Sequence, residues 1–395
     1  MGSVTLPDAG WRDRAGLGRV IAALGPGTAR IVGGAVRDTL LGIDTADVDL
    51  ATTHSPEQVI DLLEAAKIKA VPTGIKHGTI TAVANDEVYE VTTLRRDLDT
   101  DGRHAVVAFT DDWREDAGRR DFTINALYAD PASGELFDYF GGIADLEERR
   151  VRFIGDPLTR IAEDHLRILR FFRFLARFGD APDQAGLKAC TERTNDLMAL
   201  SRERIANELL RLLVAPRAPE VVALMIEHGI FAPVLPEIVD VLRLAALAKR
   251  EETAGIDQDP IRRLAAVLPS DPAVAAAVGA RLKLSNLQRR RLESATGPVD
   301  ADPRALTYRL GAELAIDRLL LAGDSLDDLN GWMPPKLPLS GGDLVARGLI
   351  AGPDVARTLH RVEDRWIAEG FPDAARVAQI ADDEVAQVLA AIRKS

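Results

Sequence analysis

Cysteine is nearly absent from this chain of 395 residues, where Cys190 stands alone. One cysteine excludes an intrachain disulfide and a cysteine-based zinc site, and it suits a reducing, cytoplasmic setting. With no reactive motif around it, Cys190 reads as a small half-buried side chain. Long apolar runs are missing too. Charges or prolines interrupt each candidate before the ~20 residues a bilayer-spanning helix needs, so no such helix is expected. The start "MGSVTLPDAGW" has no basic segment followed by an apolar one, and Leu6 stands where a myristoylation signal carries Ser or Thr. Neither a secretory signal nor a lipid anchor is expected from it. Low-complexity segments and repeats of fixed period are also absent. Positive charge is in deficit: the formal net charge is −12, which taken alone argues against a nucleic-acid partner. The deficit is uneven. Residues 151–217 hold 12 Lys or Arg against 9 Asp or Glu, a balance of +3 that leaves −15 for the rest. A local basic surface within an acidic protein is compatible with those counts.

What is present divides the chain in two characters. Up to about residue 150, short β-rich runs at 29–32, 48–50, 79–83 and 88–92 alternate with helical segments at 35–41 and 57–66, the latter after a Ser-Pro-Glu start. This predicts a small α/β region with a mixed sheet. Residues 97–114 are polar and read as a loop or ribbon. Beyond about residue 156 the segments are Ala- and Leu-rich at helical spacing. The clearest predicted helix is 160–178, with Ile161, Ile168, Leu169, Phe172, Leu175 and Ala176 on one side and Gly179 at its end. The expected fold class is α+β: a mixed-sheet head over 1–150, a helical neck over 151–217, and a helical body and tail over 218–395.

Chemistry concentrates in "IVGGAVRDTLLGIDTADVDLATT", residues 31–53. In a strand, residues i and i+2 share a face, so Asp47 and Asp49 project together while Val48 points inward. Two carboxylates that close repel unless a cation lies between them, and a hard divalent ion such as Mg²⁺ is the usual resolution. Mg²⁺ commonly accompanies phosphates. Gly33 and Gly34, lacking a β-carbon, let a phosphate approach backbone N–H groups, and Arg37 lies one turn further on. Singly these features are ordinary; an isolated Asp-x-Asp is more often a solvated strand end. Together they have the layout of a nucleotide-transferring site.

That combination resembles the head motif of the tRNA nucleotidyltransferase and bacterial poly(A) polymerase family, the class II branch of the nucleotidyltransferases. "TGIKHGTITAV" (73–83), "YEVTTLR" (89–95), "RRDFTINAL" (119–127), "DYFGGIADL" (138–146) and "EDHLRILRFFRF" (163–174) follow in family order, so the resemblance covers residues 28 to 215. It implies that Arg120 meets the triphosphate of the incoming nucleotide, although Arg119 beside it can be assigned as well. Asp121 reads as the cap of an apolar helix, with Asn125 alongside. Glu90 becomes a third carboxylate if its strand neighbours that of Asp47 and Asp49, and is otherwise a surface residue. His77 reads as a structural turn residue, because metal-driven transfer requires no histidine.

Asp164, Arg167, Arg170 and Arg173 recur every third residue and predict one polar stripe on a helix. A salt-bridged solvated stripe is the plain reading. Yet cytosine and adenine both offer an amino donor beside a ring-nitrogen acceptor, whereas uracil and guanine offer a carbonyl beside a ring N–H. A carboxylate only accepts and a guanidinium only donates. Asp164 and Arg167 would therefore suit CTP and ATP and reject UTP and GTP. The resemblance implies that template role, with Arg170 and Arg173 supporting nucleotide binding.

The expectation is a CCA-adding tRNA nucleotidyltransferase. It uses CTP and ATP, holds two Mg²⁺ ions on Asp47 and Asp49, releases pyrophosphate and takes the tRNA acceptor arm as partner. The segment "RLKLSNLQRRRL" (281–292), with five basic residues, supplies Arg281, Lys283, Arg289 and Arg290 as candidate tRNA contacts, beside the plain reading of a solvated helix face. Arg103-His104-Ala105 stands where many relatives carry Arg-Arg-Pro, in a loop the family links to the change from adding C to adding A. No His-Asp dipeptide occurs, so the metal phosphohydrolase domain of some relatives is not expected. Three alternatives remain open: a poly(A) polymerase, disfavoured by the non-basic ending "DDEVAQVLAAIRKS"; an enzyme adding only part of CCA; and a noncatalytic RNA- or nucleotide-binding module.

Overall fold

The computed structural model describes residues 5–45, 47–100, 105–299 and 301–392. The chain forms two compact units, residues 1–241 with 281–284, and residues 242–280 with 285–395. The first unit opens with α1 (Ala15–Leu24) and a seven-stranded sheet of β1 (Ala29–Val32), β2 (Asp49–Thr52), β3 (Lys69–Gly74), β4 (Thr79–Ala84), β5 (Glu87–Thr93), β8 (Leu127–Ala129) and β9 (Leu136–Asp138). Strand order is β3-β4-β5-β2-β1-β8-β9. The β2–β5 pair is parallel and the others are antiparallel, so the sheet is mixed as expected. A separate ribbon, β6 (Arg95–Thr100) with β7 (Ala105–Phe109), accounts for much of the polar 97–114 stretch. Arg103 and His104 lie outside the described residues.

Local sequence explains the elements that carry the site. In β1, Ala29, Ile31 and Val32 are buried. Residues 47–50 alternate exposed and buried, with Val48 and Leu50 in the core. Between these strands runs α2 (Gly34–Leu40). Next, α3 (Pro56–Ala65) starts from a capping box of Ser55 and Gln58 with Pro56 at its first position, and buries Val59 and Leu63 one turn apart.

The helical part of this unit begins with α4 (Trp113–Gly118) and α5 (Gly142–Glu147) inside the head. It continues as α6 (Pro157–Glu163), α7 (Arg167–Phe178), α8 (Gln184–Glu192), α9 (Arg202–Leu213) and α10 (Ala218–Glu227). Two expectations need correction here. The predicted helix 160–178 is two helices, broken at Asp164, which is extended at φ −151° and ψ 105°. Its carboxylate accepts from the Leu166 N–H and its carbonyl from the Arg167 N–H, so Asp164 opens a new helical start. The segment after Asp121 is a 3₁₀ turn, Thr123–Asn125, leading into β8, and not an apolar helix. Asp121 accordingly caps no long helix; it accepts from its neighbour's N–H at Phe122, from Asn125 and from Arg170. The fully buried Cys190 also sits deeper than expected, and burial pushes its thiol pKa up.

One buried carboxylate ties this region together. Asp116, on α4, accepts from Tyr128 Oη at 2.7 Å, from Arg119 and Arg120, and from the backbone N–H of Arg95 where the ribbon begins. The motif "DYFGGIADL" buttresses the same segment. Asp138 accepts four successive N–H groups from Phe140 to Ile143, and Asp145 takes Thr123, Arg150 and Arg152.

The second unit contains α11 (Leu242–Ala254), α12 (Pro260–Val267), α13 (Pro272–Arg281), α14 (Asn286–Ala295), α15 (Pro303–Leu310), α16 (Ala312–Ala322), α17 (Gly341–Ala346), α18 (Pro353–Ala368) and α19 (Ala374–Ile392). Its first helices surround a buried ionic network: Glu251 takes Arg262 and Arg263, and Asp317 takes Arg262 and Arg291. The later ones pack on Trp366, Val362, Ile380 and Leu344.

Burial alone would raise the Asp116 pKa, but Arg120 and Arg119 outweigh it and bring the carboxyl down to about 2. Unfolded, it titrates at about 3.9. Its stabilisation is therefore complete above about pH 4 and lost as pH falls through the folded value near 2, about 2–3 kcal/mol in all. Urea titrations of wild type and Asp116→Asn are expected to differ at pH 6 by at least that much. The gap should close steadily between pH 4 and 2; a gap independent of pH would contradict the pairing.

Candidate active site

β1 runs antiparallel to β2 with Val32 opposite Asp49, so the chain leaves β1 into Gly33 beside the point where Asp49 enters β2. Gly33 adopts φ +68°, which a β-carbon disfavours, and a β-carbon there would lie 3.5 Å from Arg120 Nη1. Gly33 donates its own N–H to the Leu127 carbonyl, and Gly34 opens α2. On the other side of β2, the parallel register sets Glu90 directly opposite Asp49. Asp47, Asp49 and Glu90 all keep solvent access. Partial burial, then the charges of Glu90 and Asp47, raise the Asp49 pKa, against the pull of Arg120.

These elements border a cleft of about 520 Å³. Gly33, Gly34, Arg37, Asp49, Arg95, Arg119, Arg120, Asp121, Asn125, Asp164, Arg167, Arg170 and Phe174 line it. Its arginines are held by acids and carbonyls. The buried Arg37 pairs with Asp38, donates to Asn125 and stacks 4.2 Å from the centre of the Phe178 ring; burial lowers its pKa. Arg119 and Arg120 share Asp116. Arg167 donates to Glu163 and to the carbonyls of Arg160 and Arg119. Arg170 binds Asp121 at 2.6 Å, and those arginine bonds outweigh burial to keep the Asp121 pKa low. Asp164 receives Arg204 on both oxygens, at 3.0 and 2.8 Å.

Not every candidate meets there. Arg173 is outside the cleft lining, held by Glu208 at 2.5 Å. The break at Asp164 and the turn of α7 divide the predicted stripe: Asp164, Arg167 and Arg170 face the cleft, while Arg173 faces α9. Arg281 and Lys283 are paired with Glu237 and Glu203. Arg289 and Arg290 are exposed on α14, whereas Arg291 turns inward to Asp317, Asp259 and Glu313. His77 ends a 3₁₀ turn, and its carbonyl accepts from Arg95. Several contributors were not singled out from sequence. Arg95 and Phe174 line the cleft, while Asp116, Glu163 and Arg204 hold residues that do, and Glu208 approaches the lining Arg170 at 3.7 Å. The i, i+4 pair Arg204 and Glu208 in "RERIANELL" was the one available signal for the last two.

Among the described residues, no three His, Cys, Asp or Glu side chains are gathered into a ready metal cage. The donor chemistry nonetheless fits a hard divalent cation. Asp47 and Asp49 are carboxylates that crowd each other's charge, and Mg²⁺ is ordinarily bound by one or two carboxylates completed by phosphate oxygens and water.

Residues 29–152 match the family model described as the poly A polymerase head domain, and residues 182–242 match the probable RNA and SrmB-binding site of polymerase A. The mitochondrial CCA tRNA nucleotidyltransferase 1 of Mus musculus is 36% identical in an alignment 365 residues long that covers 87% of this chain and 83% of that protein. A CCA-adding enzyme of Geobacillus is 38% identical over 222 residues, 55% of this chain and 54% of that one. Among solved structures, the Bacillus stearothermophilus CCA-adding enzyme in complex with CTP superposes with a TM-score of 0.68 at 25% identity, covering 91% of this chain and 94% of that one. By the identity it shares with the mouse protein over most of both lengths, the chain belongs to the class II tRNA nucleotidyltransferase and poly(A) polymerase family.

Proposed function

We propose that this chain adds C, C and A in turn to the 3′ end of tRNA, from CTP and ATP, with release of pyrophosphate. The observation that carries this reading is the hydrogen-bonding capacity left over on Asp164 and Arg167. A carboxylate has about four lone-pair sites. On Asp164, Leu166 N–H and the two contacts from Arg204 occupy three, leaving about one. A guanidinium has about five N–H donors. Three of those on Arg167 go to Arg160, Glu163 and Arg119, leaving about two. One free acceptor beside free donors complements an amino group next to a ring nitrogen, the edge that cytosine and adenine share. A uracil or guanine edge would set carbonyl against carboxylate and N–H against guanidinium, leaving buried groups unpaired.

The rest of the cleft suits a triphosphate. Arg37, Arg120 and Arg170 line it, and Arg120 reaches from Asp116 toward Gly33, which favours Arg120 over Arg119 as the phosphate contact. Asp47 and Asp49 would hold the magnesium, with Glu90 alongside as a third carboxylate. When bound, Mg²⁺ supplies charge neutralisation on the phosphates and a lower pKa for the attacking 3′-hydroxyl. Asp49 keeps its carboxylate at the edge of β2, while the arginines orient the α-phosphate for in-line attack.

The direct test is to incubate the protein and Mg²⁺ with tRNA lacking CCA, supply CTP and ATP separately and together, and sequence the 3′ ends. One C-C-A per tRNA is expected. Runs of A would identify a poly(A) polymerase instead, and products ending at C-C or lacking C a partial enzyme. In the same assay Asp49→Ala should lower turnover by about a thousandfold or more while CTP binding by equilibrium dialysis stays measurable. Turnover near wild type would remove the metal role. Arg167→Ala should cut the preference for CTP over UTP by about a hundredfold. An unchanged preference would dispose of the template.

A further inference from the structure

α7 and α9 pack together, and the ion pairs between them run in order along both helices. Arg204 holds Asp164, just ahead of α7. One turn later on α9, Glu208 takes Arg173 at 2.5 Å and approaches Arg170 at 3.7 Å. Three or four residues advance a helix by about one turn and stay on one face. From the Glu208–Arg173 rung that step leads on α7 from Arg173 to Arg177, and on α9 from Glu208 to Arg211. A ladder that pairs opposite signs for two rungs thus continues to a pair of cations. Both are exposed. Among the described residues neither has an ion-pair or hydrogen-bond partner, and Arg177 only overlies the Phe178 ring at 5.2 Å. α7 carries four arginines and no acid, so nothing on its own helix offsets Arg177.

Both arginines occupy the last turn of their helices, where the carbonyl ends favour a cation. That explains a positive residue at each end, but not why, among the described residues, no acid pairs with either arginine when Asp164 and Glu208 neutralise the earlier rungs. Arg177 also bears on the buried Arg37, so it adds positive potential next to the cleft wall, and Arg211 bears on Arg173 on the side of α7 that faces α9. We propose that Arg177 and Arg211 together bind backbone phosphates of the RNA strand whose 3′ end enters the cleft. This rests on the tRNA reading above. It assigns the strand a track two turns along α7 from Arg170, separate from the site for the incoming nucleotide.

The test uses the full chain and its Arg177→Gln/Arg211→Gln double variant, with a fluorescein-labelled tRNA lacking CCA followed by anisotropy from 50 to 200 mM salt without nucleotide. Each phosphate contact contributes about 0.7–0.9 to the slope of log affinity against log salt. The double variant should bind roughly tenfold more weakly at low salt, with a slope shallower by about 1–2. Its KM for CTP should stay at the wild-type value. The Arg177→Lys/Arg211→Lys variant, which keeps both charges, should retain most of the affinity, and thermal melts of both variants should match wild type. Unchanged tRNA affinity and slope in the Gln variant would overturn the site. So would an equal loss in the Lys variant, or a loss confined to CTP. If wild type itself failed to bind tRNA, the functional reading would fall along with the site; wild-type binding matched by all variants would sink only the site.

Discussion

Arginine charge in the cleft is held in place by acids. Arg37 leans on Asp38, Arg119 and Arg120 on Asp116, Arg167 on Glu163, and Arg170 on Asp121. A guanidinium brought into a half-dry pocket without such a partner would either be too costly to bury or swing out to solvent. Held in this way, each keeps donors aimed inward before any ligand arrives, and little side-chain freedom is left to lose on binding. The acids are themselves fixed by elements that meet at the segment from Asp116 to Asn125. That segment connects the ribbon, the sheet through β8, and the helices through Arg160, which donates to the carbonyls of Arg119 and Arg120. The cleft is therefore a property of that short stretch more than of any single helix or strand.

Much of the head was legible because its signals are local. The β1 run, the Gly-Gly turn and the helix start at Ser55-Pro56-Glu57 each depend on a few adjacent residues, and the structure has them where the pattern put them. The polar stripe was misread for a physical reason. Three-residue spacing gives one face only on a continuous helix, and Asp164 interrupts this one by taking backbone N–H groups as a new start. Periodicity cannot distinguish a polar residue on a helix face from one that caps the next helix. The apolar letters after Asp121 were ambiguous in a related way: Phe122, Ile124 and Leu127 serve a 3₁₀ turn and a strand as readily as a helix.

What sequence could not supply was the partner of each charge. Arg173 looked equivalent to Arg170, but Glu208, 35 residues later, takes it toward α9. Asp116 was not singled out from the sequence, yet its burial beneath Tyr128 makes it the anchor for two arginines. The placement of Glu90 likewise depended on one fact of topology, whether its strand would pair with β2. The parallel register brings it opposite Asp49. Pairing two carboxylates across neighbouring strands is unfavourable in itself, and the charge of Glu90 adds to burial in raising the Asp49 pKa. Such a placement is relieved when a cation or a cationic side chain approaches, so the same crowding that weakens the β2–β5 pair makes it a receptor for positive charge.

The acidity of the whole chain is compatible with an anionic substrate once distance is considered. At physiological salt, charges separated by more than about 8 Å in solvent scarcely act on one another. The net −12 governs solubility and distant encounter, while a phosphate at the cleft responds to the arginines within reach. α7 is the clearest instance: four arginines and no acid in twelve residues, with the neutralising acids brought from Glu163, Asp121 and Glu208 outside it. Because those acids arrive on particular neighbours, the structure decides helix turn by helix turn which arginines are neutralised internally and which remain open to an incoming anion. The sign of the site is thus set by packing, and composition alone, which points the other way, could not reveal it.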